Sequence, residues 1–403
     1  MRVGESWNES TVFRDPMTLR TIRRLTRFGQ YNQTPTYHTN TAFTHDGRHL
    51  VFATAREGSS AIVRANVESG ELTAVYCAPG SGSRDYVHPF NGNEVGDGRG
   101  LSGNRLALEP REGWAVFTQG TSLRVVNIHT CQVRILIDDI GPEWIFGAPS
   151  VSADAANVVV ALSTAHPQLL RGERVDRDYL SYPDHRMRLL VVPLDGGAAR
   201  TIYDRQPCQC SHTSYNPRRL DLVYFDVNVP PLYWCGNDAV TPRVWLVSDR
   251  GGEPHPLRPS FPGIFVVHAA WTWDGSAIAY HGFLSAAGYS SGIFIGLTAV
   301  DGGSIRDYVF PDAHAYGHIN PDPVRPALIL DGDVLAGCLS WLYYDRAQPR
   351  VELICRHDTE WESMPGQYSH PHPQSDPTGR RISYNAARNG RSDVFVVEVG
   401  DGP

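Results

Sequence analysis

The sequence predicts an all-β protein, a seven-bladed β-propeller closed by an N-terminal outer strand. Three observations carry this. Short β-rich runs recur in sets, many opened by an Asp-Gly or Asn-Pro type turn, at a spacing of roughly 45 to 65 residues, near the repeat length of propeller blades. Glycine (38) and proline (29) are spread along all 403 residues, and strong helical periodicity is scarce. The last set lacks an outer strand, while Arg20–Thr26 at the other end of the chain resembles the outer strands elsewhere.

Each blade can be justified in order. In the first, the turn Thr44-His-Asp-Gly47 leads into runs at His49–Thr54, Ala61–Val67 and Glu71–Tyr76, an antiparallel meander. The second holds Trp114–Thr118, Leu123–Ile128 and Val133–Ile137; the third, Asn157–Leu162, Arg188–Val192 and Ala199–Tyr203. The fourth holds Leu220–Phe225 and Arg243–Val247. The fifth opens at Trp273-Asp-Gly-Ser276 and runs through Ala277–Tyr280 and Gly292–Gly296. The sixth holds Ala327–Leu330, Trp341–Tyr344 and Val351–Cys355. The seventh opens at Asp376-Pro-Thr-Gly379 and holds Arg381–Tyr384 and Asp393–Val399. Pairing the segment 1–28 with the seventh blade removes an open sheet edge and makes 1–403 a single propeller domain. Long insertions at about 78–105, 163–186, 226–242 and 356–370 fall where loops gather on a face of the disc, the place where sites are built.

Composition narrows the function. The formal charge is −7, and the apolar fraction of 41% with no long apolar stretch describes a water-soluble chain that spans no membrane. The acidic balance argues against a nucleic-acid partner. All 36 basic residues are arginine, which excludes Schiff-base chemistry, a lysine base and a P-loop lysine. Seven scattered cysteines without zinc-ribbon spacing read as free thiols, and the N-terminus lacks a signal-peptide core, so a cytoplasmic location is expected. No serine-hydrolase elbow, dinucleotide loop or His-Glu-x-x-His motif is present.

What remains is a set of histidines in the second half. In Gln367-Tyr-Ser-His370-Pro-His372-Pro the two histidines are two apart. On an extended innermost strand, residues i and i+2 point the same way, so both rings could face one metal with Gln367 adding an oxygen. His318, in the run from Asp312 to Asn320, leads into the adjacent blade and could complete a three-histidine site; His314 of the same run is a weaker candidate. His268 lies in an apolar run entering blade five, Arg243 opens a strand of blade four, and His212 precedes the same blade. Each alone is compatible with a packed or solvated residue; all fall in blades four to seven.

The chain resembles the oligogalacturonate lyase family, seven-bladed propeller enzymes of pectin breakdown. The clearest likeness is Cys355-Arg-His-Asp-Thr-Glu-Trp361 followed by Gln367 and His370-Pro-His372-Pro, and it extends in the same order over essentially the whole chain. The resemblance implies that His318, Gln367, His370 and His372 bind manganese, that His268 is the base and that Arg243 meets the substrate carboxylate; His212 and Tyr316 are further candidates for substrate contact. The implied reaction is metal-dependent β-elimination from a 4-linked uronate oligosaccharide, giving an unsaturated uronate. By ligand softness the donors also suit Zn, Ni or Fe, and Ca is left open. One departure is Asp226-Val-Asn-Val-Pro230, where family members carry His-Glu-Gly-Pro, which leaves the exact sugar open to another uronide. Two rival readings are a non-catalytic sugar- or protein-binding propeller, which predicts no bound metal, and a glycoside hydrolase on the same scaffold. The sequence leaves the oligomeric state open.

Overall fold

The computed structural model describes residues 1–36, 41–83, 98–165, 184–228, 242–259, 264–284, 292–311, 317–332, 334–361, 363–364 and 366–400. Seven antiparallel sheets of four or five strands form a seven-bladed β-propeller, the expected fold. The innermost strands, in blade order, are Tyr31–Gln33, Leu106–Glu109, the broken pair Trp144–Phe146 and Ser150–Val151, Thr213–Tyr215, Ile264–Trp271, Ile319–Pro321 and Gln374–Ser375.

Alternation within the second and third strands explains the ring. Successive side chains on a strand face opposite sides of its sheet. In blade one Leu50 and Phe52 pack against Val394 and Val396 of blade seven, while Val51 and Ala53 pack with Ala115 and Phe117 of blade two. The same arrangement fills the other five gaps between neighbouring blades, for example Tyr224 with Trp271 between blades four and five and Trp341 with Tyr384 between six and seven. Each blade is therefore buried on both faces, and the runs read as nearly continuous apolar segments.

The turns between innermost and second strands repeat one device. Thr44, Ser152 and Thr272 donate their hydroxyls to Asp46, Asp154 and Asp274 at 2.6, 2.6 and 2.7 Å. Each carboxylate also accepts the amide two residues further on, which holds a tight turn that a local side chain satisfies. Gly275 in one of these turns has φ +68°, a left-handed conformation that costs glycine little, and Asn216 of blade four donates to its carbonyl at 2.8 Å.

Closure occurs as expected and goes further. Thr21–Arg24 pairs with Arg391–Glu398, Ile22 opposite Val397, as the outer strand of blade seven. Two additional strands were not anticipated. Thr11–Arg14 adds a fifth strand outside Thr21–Arg24, and Ser6–Asn8 pairs with Glu71–Pro79 of blade one. One N-terminal segment thus binds both sides of the seam. Arg56 reinforces it through a 2.5 Å ion pair with buried Glu9. No helix among the described residues is long and apolar enough to cross a membrane.

Deleting residues 1–28 removes the seam strands together with the buried Ile22 and Leu25 and leaves the Arg391–Glu398 edge unpaired. Such an edge templates aggregation. The truncated protein is expected to aggregate or lose cooperative unfolding in light scattering and thermal melts; an unchanged melt of a monodisperse sample would contradict this role.

Candidate metal centre

All innermost strands enter the channel from the same side, so residues just before or early in them gather at one mouth. His212, His318, His370 and His372 precede the innermost strands of blades four, six and seven, and His268 lies within that of blade five. The imidazoles of His318, His370 and His372 place a ligand atom each within 4.8 Å of one another, and all three residues are buried. The Gln367 side-chain oxygen lies 2.8 Å from His370 Nδ1 and 2.8 Å from His372 Nε2. The structure therefore brings together the four residues that the sequence singled out as metal ligands.

The local reason differs from the one expected. His370 and His372 are not on an extended strand. Gln367 sits in a one-turn 3₁₀ helix, Gly366–Ser369, and His372 adopts φ +46°, ahead of the innermost strand at Gln374–Ser375. A left-handed β-carbon-bearing residue is costly and persists where its surroundings fix it. Here the His372 amide donates to Asp331 at 3.1 Å and the Asn385 amide donates to the Pro371 carbonyl at 2.8 Å. Convergence comes from a turn and a strained residue, not from strand alternation.

Asp331 was missed as a functional residue. Its carboxylate accepts from the His318 amide and lies 2.9 Å from His318 Nδ1. That contact fixes the ring and turns Nε2 toward the cluster, the usual carboxylate support of a metal-bound histidine. Burial pushes the Asp331 carboxyl up to about 7, although the His318 amide, the His357 ring and the His372 amide all pull it down. His357, at the start of the long insertion, accepts the Thr359 amide at 3.1 Å, and burial lowers its ring to about 4.

The same cross-strand position recurs around the mouth. Ile319 pairs with Leu330, so His318 faces Asp331; Thr213 pairs with Phe225, so His212 faces Asp226; and His268 pairs directly with His281. The residue that ends or follows the apolar run of the second strand is thus the partner of the inner histidine. That signal was available in Phe225-Asp226, Tyr280-His281 and Leu330-Asp331.

His268 stacks on His318 with ring centroids 4.6 Å apart. Its Nδ1 lies 3.1 Å from the Gly317 carbonyl and 2.6 Å from His281 Nε2. A carbonyl only accepts, so the Gly317 contact favours the proton on Nδ1 and the lone pair on Nε2. Burial first, then the charges of His318, His281, Arg243 and His212, hold the ring well below the usual histidine range, so it is neutral at pH 7. Arg243 donates from Nη2 to Asp226 at 3.0 Å and from Nε to Asn228 at 2.9 Å, an orientation the sequence did not suggest. Asp226 also accepts from the Ser211 amide and hydroxyl at 2.8 Å each and from the His212 amide at 2.9 Å. Burial works against its charge, but His212 and Arg243 hold the carboxyl well below the usual range. Tyr316 and His314 lie outside the described residues.

Three buried imidazoles and one half-buried amide oxygen form a neutral donor set that suits a first-row divalent ion. The Gln367 oxygen lies 2.8 Å from a nitrogen of each of two of these rings, and the three rings offer ligand atoms within 4.8 Å of one another, so the four donors converge on one point. The residues therefore fit the metal that the resemblance implies.

No protein-family model matches the chain. By sequence it is 23% identical over 228 residues to an oligogalacturonate lyase of Dickeya dadantii, covering 53% of this chain and 56% of that protein. It is 21% identical over 330 residues to an oligogalacturonide lyase of Pectobacterium atrosepticum, covering 77% and 81%. The alignment thus spans little more than half the length of the first relative. Among solved structures, an oligogalacturonate lyase in complex with manganese superposes with a TM-score of 0.76 at 19% identity over 99% of this chain and 98% of that one. The resemblance to the oligogalacturonate lyase family is thus found in sequence and in structure alike.

If Asp331 orients the cluster, Asp331→Asn lowers affinity for Mn(II) about 10–100-fold, the usual cost of losing such support. His370→Ala, which removes a ligand, lowers it further. Titration calorimetry on metal-stripped protein reads both; unchanged affinity in Asp331→Asn would remove the carboxylate from this role.

Proposed function

We propose that the chain is a divalent-metal-dependent lyase that cleaves 4-linked uronate oligosaccharides, oligogalacturonate or a related uronide, by β-elimination. The observation that carries this reading is the juxtaposition of the His318–Gln367–His370–His372 cluster with a neutral, buried His268, its ring 4.6 Å from that of His318. Support comes from the alignment, over nearly the whole chain, with a manganese-bound oligogalacturonate lyase.

β-Elimination removes the proton on C5, beside the C6 carboxylate, and expels the oxygen on C4. A C–H next to an ionised carboxylate is a very weak acid, because its removal adds negative charge to a group already charged. A divalent ion held by His318, Gln367, His370 and His372, with manganese the choice suggested by the relative, supplies positive charge where that negative charge gathers. His268 accepts the C5 proton at Nε2. Its environment favours this in two ways: Nδ1 is committed to the Gly317 carbonyl, and the ring remains unprotonated at neutral pH. Arg243, held in a fixed plane by Asp226 and Asn228, offers a guanidinium to an acidic sugar. His212, at the same mouth, is placed to meet the substrate as well.

The decisive measurement is ultraviolet absorbance of the unsaturated uronate on mixing metal-loaded protein with oligogalacturonides. Turnover is expected to vanish on chelation and return with Mn(II). His268→Ala is expected to lose about 10²-fold or more in kcat, the usual worth of a general base, while binding the metal as before. Full turnover by that variant would move the base elsewhere, and absence of unsaturated product from every uronide offered to the wild-type protein would overturn the reading.

A further inference from the structure

The elimination just proposed consumes one base and also needs a proton for the departing C4 oxygen. An alkoxide is a poor leaving group, so a positioned donor is worth as much as a positioned base. His268 cannot serve both ends at once. Among the described residues, His212 is another oriented imidazole at this mouth, and it lies outside the three-histidine cluster.

Its setting is built like that of His318. Both residues immediately precede an innermost strand, and both face a buried carboxylate across the first strand pair: His318 faces Asp331, and His212 faces Asp226. His212 Nδ1 lies 3.1 Å from Asp226 Oδ2 and 3.1 Å from Ser211 Oγ. The carboxylate is held further by the Ser211 amide and hydroxyl, the Asn228 amide group and Arg243. It is a fixed, ionised acceptor, so Nδ1 keeps its proton and Nε2 is the nitrogen presented on the opposite side of the ring. The outcome differs from blade six in two respects. The described three-histidine cluster does not include His212. Its side chain is also 19% exposed, whereas that of His318 is fully buried. An imidazole supported by its own carboxylate, reachable from solvent and outside the ligand set is arranged to exchange protons.

We infer that His212, oriented by Asp226, is the acid that protonates the leaving C4 oxygen. The inference rests on the elimination reading above. His268 Nε2 takes the C5 proton first, and the electron pair of that bond remains on the C5–C6 carboxylate system. The pair then forms the C4–C5 double bond as the C4–O bond breaks. The electrons of the broken bond stay on oxygen, which takes the Nε2 proton of His212 in its imidazolium form, leaving a neutral ring whose Nδ1 proton stays hydrogen-bonded to Asp226. His212 is reprotonated from water and His268 releases its proton to water, so the cycle balances without a further reactant. Asp226 is a positioning residue in this scheme, because it acts through His212.

The test follows two bonds separately in deuterated buffer with metal-loaded protein and a galacturonate oligomer. Unsaturated product reports C–O cleavage, and proton NMR of recovered substrate reports exchange at C5. In His212→Gln, elimination is expected to fall about 10²-fold or more while deuterium still enters C5, because the base is intact and only protonation of the C4 oxygen is missing. In His268→Ala both are lost. His212→Ala is made alongside, with metal content and melting temperature measured for each. If exchange and elimination fall together in both His212 variants, if neither changes, or if both variants lose metal or fold, His212 is not the acid. If the wild-type protein forms no unsaturated product, the elimination reading itself fails and takes this assignment with it. That result is distinguished from the others because it appears before any substitution is made.

Discussion

The site depends on one buried carboxylate that holds two blades together. Asp331 bonds the His318 amide and ring on one side and the His372 amide on the other. It therefore fixes the ring orientation of one presumptive ligand and the strained backbone of another. A buried carboxylate is costly unless its oxygens are satisfied, and here most of the satisfaction comes from the groups it must position. Loss of either histidine's contact would leave the carboxylate worse off, so ligand geometry and carboxylate burial stabilise each other. The ring supplies the rigid frame for this. Apolar clusters in all seven gaps between blades keep blades six and seven at a fixed spacing.

Much of this was legible in the sequence. The repeat of turn and apolar run revealed the blades, since strands buried on both faces leave nearly continuous apolar segments. The N-terminal closure was legible because a blade short of one strand needs a partner. Gln367, His370, His372 and His318, expected as ligands, do converge, but by a different local geometry: strand alternation was expected, whereas a 3₁₀ turn and a left-handed His372 bring them together. Such a conformation has no sequence signature when the residue is histidine between two prolines. Asp226 and Asp331 were passed over because each lies 13 or 14 residues from the histidine it supports. Their relation follows from strand register, which a reading by local motif does not track. The two added strands at the seam were missed because their runs are short and largely exposed.

Blades four and six illustrate how one scaffold yields two chemistries. The His–Asp pair is the same in both, placed at the same point of the strand register. In blade six the histidine is fully buried beside two more imidazoles, and the pair becomes part of the proposed cation site. In blade four the neighbouring group is Arg243, which shares Asp226 with His212. A guanidinium beside the pair disfavours a second cation and suits the acidic sugar of the proposed reaction. Position in the ring, rather than the dyad itself, decides what the imidazole can do.

The strap at the seam has a consequence for synthesis. Ile22 finds its partner at Val397, so the two sides of the seam are synthesised 375 residues apart. At roughly 5–20 residues per second, that stretch takes about 20–75 s to make. Throughout most of that time Thr11–Arg14 and Thr21–Arg24 have no sheet to join, and Phe13, Met17 and Leu19 stay largely exposed even in the finished ring. The first blade has its own three long strands available early, and Ser6–Asn8 can dock on Glu71–Pro79 as soon as these emerge. That early docking tethers the waiting strap beside the place where blade seven will arrive. The nascent chain would thus carry its latch on the first blade until the last one comes off the ribosome.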